Sequence, residues 1–249
     1  MLTESRQQKI IEYINKNKIV TVEELTVLVH SSESTIRRDL QSLSKLGKIR
    51  KVHGGATIIE TGNQNDEQLN IRQQYNKIEK NHIGQMAASL LEENDFVYID
   101  AGTTTESMID YIQIQNITFV TNGILQAQQL LKRGYRVFLL GGELKPITEA
   151  IIGEGAITSL QKYNFTKGFL GTNGVSIQAG FTTPEMSEAI VKQEAMKHCM
   201  DSYVLMDASK FEKISAITFG AIEEANIITN VCNNKEMKTK TKIIEVKEK

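Results

Sequence analysis

Five short stretches rich in glycine, threonine and asparagine carry the side chains best suited to hold a small polar ligand: Asp100-Ala101-Gly102-Thr103-Thr104-Thr105, Thr121-Asn122-Gly123, Gly141-Gly142-Glu143, Gly171-Thr172-Asn173-Gly174 and Gly180-Phe181-Thr182-Thr183. The first is the most telling. It follows an apolar run, Phe96 to Ile99, and precedes an amphipathic one, so the pattern predicts a strand, a tight turn and a helix start. Glycine, threonine hydroxyls and free backbone N–H groups converging there would form an anion site, with phosphate as the natural guest. Each stretch alone also fits ordinary turn and helix-cap chemistry. Five at predicted strand ends argue for a ligand crevice, because open parallel sheets bind ligands beyond the carboxyl ends of their strands.

A second chemistry lies near the N-terminus. Ser32, Ser34, Thr35, Arg37, Arg38 and Gln41 fall opposite the apolar stripe Ile36, Leu40, Leu43 of one predicted helix. Arginine can form paired hydrogen bonds with guanine edges, whereas serine, threonine and lysine more often bond phosphates. Lys48, Arg50, Lys51 and His53 follow in a predicted hairpin, where they can bind a nucleic-acid backbone or reach a minor groove.

The elements that must position these groups are legible from periodicity. Ile10, Ile11 and Ile14 mark a first helix over 4–16. Thr21 with Glu24 three residues later forms a capping box opening a second, with Val22, Leu25, Leu28 and Val29 on its buried face, broken by Ser31 and Ser32. Ser34 or the residue before it caps a third, Thr35 to Leu46, which Gly47 stops. Lys48 to Val52 alternates like a strand, His53-Gly54-Gly55 turns, and Ala56 to Ile59 returns. Three helices and a basic hairpin make a winged helix-turn-helix, whose third helix enters the major groove.

Residues 60–70, ETGNQNDEQLN, are polar and read as a linker. Beyond them, strand-like runs (Phe96–Ile99, Ile117–Val120, Val137–Leu140, Gly168–Leu170, Tyr203–Met206, Asn226–Thr229) alternate with helix-like stretches (His82–Leu91, Thr105–Ile112, Ile124–Lys132, Met186–Met200). That alternation predicts an α/β domain with a mostly parallel sheet covered on both faces. The divisions are therefore 1–58, a winged helix-turn-helix; 59–74, a linker; 75–233, a ligand-sensing domain; and 234–249, a lysine-rich tail, read as a solvated strand or frayed end.

The net charge of -1 over 249 residues says little, but it divides unevenly: residues 1–53 carry +4 and the remainder -5. A basic N-terminal module attached to something else is what nucleic-acid binding predicts. Cys199 and Cys232 lack metal or redox spacing, and no metal or cofactor is expected. MLTESRQQKI lacks a signal peptide's apolar run and no stretch suggests a membrane span, so a cytoplasmic protein is expected.

The string from Arg6 to Ala56, with S-x-x-T-I-R-R-D-L at Ser32–Leu40 and G-x-I-x-x-x-H-G-G-A at Gly47–Ala56, resembles the N-terminal signature of the DeoR family of bacterial transcription regulators. Asp100–Thr104, Val120–Asn122, Leu140–Gly142, Glu188–Lys192 and Asp207–Phe211 resemble motifs of that family's sensor domain. This implies a fold similar to sugar-phosphate isomerases and a phosphorylated sugar as effector. By carry-over, Gly102, Thr103, Thr104 and Thr105 would hold the phosphate, Asn122, Gly142, Asn173, Lys192 and Lys210 would surround the sugar, and Asp100 would belong to the same effector site. The function implied is a repressor of sugar-uptake or catabolism genes, binding double-stranded operator DNA as a dimer or larger homo-oligomer. The rival is a sugar-phosphate isomerase or deaminase with a DNA-binding end. The isomerases that the domain resembles use a G-x-D carboxylate as base, whereas Gly171-Thr172-Asn173 has an amide, which cannot serve; Glu188 is the substitute to test.

Overall fold

The computed structural model describes residues 3–17, 19–46, 48–52, 54–57 and 69–246, and the chain divides into two compact units, Met1–Asn63 and Gln64–Lys249. In the first unit, α1 (Thr3–Asn17), α2 (Val22–Val29) and α3 (Glu33–Lys45) bury the isoleucine, leucine and valine stripes read from the sequence. The capping box at Thr21 is formed: its hydroxyl accepts the Glu24 N–H at 3.2 Å, and Glu24 accepts the Thr21 N–H at 2.7 Å. His30 ends α2 in the left-handed region. The cap of α3 is Ser32, earlier than expected, and its hydroxyl lies 3.0 Å from those of Ser34 and Thr35 instead of capping a backbone N–H.

A strand not anticipated, β1 (Ile19–Thr21), joins β2 (Arg50–Val52) and β3 (Gly55–Thr57) in a three-stranded antiparallel sheet of order β1-β3-β2. A side chain on Gly55 would overlap the Val20 carbonyl, so this central strand admits only glycine where β1 crosses it. Gly47, His53 and residues 58–59, to which the helix stop, the turn and the end of the returning strand were assigned, lie outside the described residues.

The second unit opens with α4 (Leu69–Gln74), which occupies the end of the expected linker, and α5 (Lys77–Ala88). Next come β4 (Phe96–Ile99), α6 (Thr103–Ile109), β5 (Thr118–Thr121), α7 (Ile124–Lys132) and β6 (Arg136–Leu139). A small hairpin follows, β7 (Glu143–Leu144) with β8 (Ile151–Ile152), then α8 (Glu154–Leu160) and β9 (Phe165–Gly171). The remainder is β10 (Gly174–Ser176), β11 (Gly180–Thr183), α9 (Met186–Lys197), β12 (Cys199–Leu205), β13 (Ile217–Gly220), β14 (Asn226–Thr229), α10 (Met237–Lys240) and β15 (Ile243–Glu245).

Seven strands form one parallel sheet of order β15-β14-β12-β9-β4-β5-β6. Alternate residues feed two cores. Tyr98, Val120, Leu170 and Val204 pack with Ala156, Leu160, Val191 and Ala195 of α8 and α9 on one face. Val97, Phe119, Phe169 and Leu205 pack with Ile83, Met108 and Leu130 of α5, α6 and α7 on the other. The chain builds outward from β4 to β6, then returns to β9 on the other side of β4, so the switch in strand order falls between β4 and β9. A crevice opens beyond the strand ends at such a point.

Strands β10, β11 and β13 add a separate antiparallel sheet that the sequence reading missed. The lysine-rich segment does hold a terminal strand, but it is partly buried instead of solvated or frayed: β15 pairs with β14 through Ile227↔Ile243 and Ile228↔Ile244, and Met237 and Val246 are buried. Two apolar pairs in register outweigh Lys235, Lys238, Lys240 and Lys242, which stay in solvent. No helix among the described residues is long and apolar enough to cross a membrane.

Candidate functional site

In the first unit, Ile36, Leu40 and Leu43 are buried while Ser32, Ser34, Arg37, Arg38 and Gln41 are exposed and Thr35 is half-buried. The outer face of α3 is therefore the polar, basic one. Arg37 pairs with Glu33 at 3.2 Å, but both side chains are largely in solvent and the bond is easily exchanged for a stronger acceptor. Among the described residues Arg38 has no ion-pair partner. A groove lined by Arg37, Leu40 and Gln41 of α3 and by Lys51, Val52 and Gly54 of the hairpin joins the two basic elements. Lys48 and Lys51 are exposed, Arg50 lies in β2, and His53 is outside the described residues.

The second unit gathers the sequence-predicted residues at the carboxyl ends of its parallel strands. Asp100 follows β4 and is 1% exposed. Its Oδ2 accepts the Lys192 ammonium and, at 3.0 Å, the Gly171 N–H at the end of β9. Lys192, on α9, also donates to the Gly171 carbonyl at 3.1 Å and lies 5.6 Å from the centre of the Phe219 ring. Burial pushes the Asp100 carboxyl up, against the pull of Lys192. This pair spans the switch in strand order.

Asn122 follows β5. Its Oδ1 accepts the Ala101 N–H at 2.8 Å and its Nδ2 donates to the Ile151 carbonyl at 3.3 Å, so it ties three loops together. Gly102 precedes α6, and its carbonyl accepts from Gln126 Nε2 at 3.0 Å and the Glu106 N–H at 2.9 Å. Thr103 accepts the Lys80 ammonium at 2.9 Å, whereas Thr104 is half-buried with no hydrogen-bond partner for its hydroxyl among the described residues. Thr105 differs: it is fully buried and donates to the carbonyls of Asp100 and Gly102, which makes it a brace of the loop. Gly142 has φ 149°, and a Cβ there would lie 2.5 Å from the Ile152 carbonyl, so it too serves the shape of its loop and not a side-chain contact.

Asn173 Oδ1 accepts the Thr183 hydroxyl at 3.2 Å. Glu188, nearly buried, accepts from Thr148 at 2.7 Å and Lys145 at 3.2 Å. Burial works against its charge, but Lys192, Thr148 and Lys145 outweigh that and hold its pKa below the ordinary value. Lys210 sits in a short 3₁₀ turn after β12, half-buried, where its charge is felt by Lys80.

Comparison with known proteins bears on both units. Residues 6–62 match the DeoR-like helix-turn-helix domain and residues 75–231 match the DeoR C terminal sensor domain. Together the two models span most of the chain. The chain belongs to the DeoR family. Its relatives include the uncharacterized HTH-type transcriptional regulator FruR of Bacillus subtilis, 43% identical over 98% of this chain and 100% of the relative. Another is the lactose phosphotransferase system repressor of Staphylococcus epidermidis, 30% identical over 94% of each. A solved ribose 5-phosphate isomerase A from Methanocaldococcus jannaschii covers 55% of both chains at 12% identity with a TM-score of 0.42.

Three positions of this DeoR-family regulator matter more than its sequence suggests. Asp39, in the middle of the recognition-helix motif, is buried and accepts Arg6 Nε at 2.6 Å and Gln7 Nε2 at 3.2 Å, which fixes α3 to α1. Lys145 is buried between Glu185, at 3.0 Å, and Glu188. Lys80, beside the Thr103 loop, is pushed down to about 8 by burial, against the opposing effect of Asp207. It stands in α5 ahead of the predicted helix start, among polar neighbours, where nothing local separates it from a surface lysine.

Proposed function

We propose that this DeoR-family chain is a cytoplasmic repressor of sugar-uptake or catabolism genes, released from operator DNA by a phosphorylated sugar. Two copies or more would present α3 and the hairpin to half-sites about one helical turn apart. Direct contacts to bases and phosphates are assigned to Ser32, Ser34, Thr35, Arg37, Arg38, Gln41, Lys48, Arg50, Lys51 and His53. The sugar reading is supported by a relative named as a lactose phosphotransferase system repressor.

The observation that carries the reading is the loop after β4. Thr103 stands beside a buried lysine, Lys80, with Lys210 close enough to act on it, and Thr104 follows Thr103 in the same turn, which suits a phosphate. Asp100, Asn173 and Lys192 would surround the sugar, and Asn122, Gly102, Thr105 and Gly142 would hold the loops in place. Binding without turnover is favoured because, among the described residues, the acid that Asn173 reaches through Thr183 is Glu188, whose carboxylate is engaged by Thr148 and Lys145 and held weakly basic. Release from DNA then follows from a population shift: the effector must bind the DNA-incompetent arrangement more tightly, typically by about 1 to 3 kcal/mol.

A thermal-shift screen against phosphorylated pentoses and hexoses, followed by operator retention with the hits, tests the proposal. A bound native state melts higher by mass action. Incubation of each hit with the protein should give no isomerised sugar; turnover would favour the enzyme reading instead.

A further inference from the structure

Lys80 grips two elements at once. Its ammonium donates to Thr103 Oγ1 at 2.9 Å and to the Arg72 carbonyl at 2.5 Å. Arg72 lies in the last turn of α4, where carbonyls have no partner inside the helix and the helix dipole is negative. Lys80 therefore acts as the C-terminal cap of α4 while touching the loop that leads into α6. A second tie runs beside it: Gln73 Nε2 donates to Glu106 of α6 at 3.1 and 2.9 Å, and Gln129 donates to the same carboxylate at 2.8 Å. Helix α4 is the first described element after residues 58–68, the stretch that leads in sequence from the DNA-binding domain.

We propose that Lys80 is a relay: an anionic group bound at Thr103 draws the ammonium away from the Arg72 carbonyl and loosens α4. This rests on the reading that the crevice takes a phosphorylated ligand. A neutral carbonyl and a phosphate oxygen compete for one cation, and the charged acceptor forms the stronger bond. Losing the cap leaves an orphan carbonyl and an uncompensated helix end. Gln73 and Glu106 keep α4 near α6, so the change is a fraying of its last turn and not a detachment. Lys80 thus positions α4 and senses the ligand through one ammonium.

Hydrogen exchange of the full chain, with and without inorganic phosphate, tests this, with melting temperature as the measure of binding. Phosphate should raise the melting temperature by an amount that Thr103→Val removes. The amides of residues 73–75 should then exchange about two- to fivefold faster, the worth of a charge at a helix end, while those of α7 do not speed up. Lys80→Met should show the faster rate without phosphate and no further response. If Lys80→Met does not fold, the wild-type comparison decides alone. A stabilisation that Thr103→Val removes, with unchanged or slower exchange in α4, overturns the relay and leaves the binding site standing. Complete exchange of α4 without phosphate also overturns it, since a capped turn is protected. Absence of any Thr103-dependent stabilisation overturns the site reading, and the relay with it.

Discussion

Replacing Lys192 by methionine keeps the length of the side chain and removes the cation that faces Asp100. Asp100 is 1% exposed, and its remaining hydrogen-bond partner among the described residues is the Gly171 N–H. Breaking a buried pair from one side typically costs about 3 to 5 kcal/mol, because a buried charge is left uncompensated. The cost must depend on pH. Burial already raises the Asp100 pKa, so its contribution to stability is full at low pH and falls as pH rises through the folded value. Without Lys192 that value rises further. The loss should therefore be large at about pH 7, where the unfolded carboxyl is ionised, and small near pH 4, where folding of the neutral acid costs little. Urea unfolding of the sensor domain at the two pH values measures this. A double variant with Asp100→Asn should recover most of the loss at neutral pH, since no charge remains to be buried. Equal destabilisation at both pH values, or a double variant no better than Lys192→Met, would refute the view that Lys192 serves as the counter-ion of Asp100.

Arg38→Ala should weaken operator binding without unfolding the protein; a guanine contact would cost roughly 1 to 3 kcal/mol at that base, read from binding to single-base operator variants. Neutralising Lys48 and Lys51 together should lower the slope of log affinity against log salt by about two, one for each phosphate that no longer meets a cation. Thr103→Val with Thr104→Val should cost about 1.5 to 3 kcal/mol of sugar-phosphate affinity for each hydrogen bond to a charged group that is removed, by calorimetry, and give a regulator that stays on its operator when effector is added. Asp39→Ala should lower the melting temperature of the DNA-binding domain and weaken all operators alike, because it frees α3 from Arg6 and Gln7.

Where one periodicity governed a segment, the sequence was readable: α7 and β14 have the bounds their patterns predict, and the capping box at Thr21 is formed. The failures have a common cause in long-range pairing. Strand β1 exists because Ile19 meets Thr57, and β11 because Thr182 meets Thr218, partners invisible in a local window. Their glycines and threonines read as turns. In the crevice, residue type marked the loops well, but the division of labour within them was set by tertiary structure. Thr103 and Thr105 are the same residue two positions apart; one faces Lys80 and the other spends its hydroxyl on the loop's own carbonyls. Lys80 was missed because its character comes from burial against α4 and α6, which its neighbours in sequence do not encode.

The order in which the elements leave the ribosome has a consequence of its own. The strand that completes the winged domain ends at Thr57, while the parallel sheet waits for β15 at Ile243–Glu245 to fill its edge. At about 5 to 20 residues per second, that interval lasts on the order of 10 to 40 seconds, and domains fold as units from the N-terminus. During it, the nascent chain carries a finished DNA reader joined to a ligand sensor with an unsatisfied margin. Messages truncated within the sensor would then yield DNA binders deaf to any inducer, and a cell has reason to degrade them.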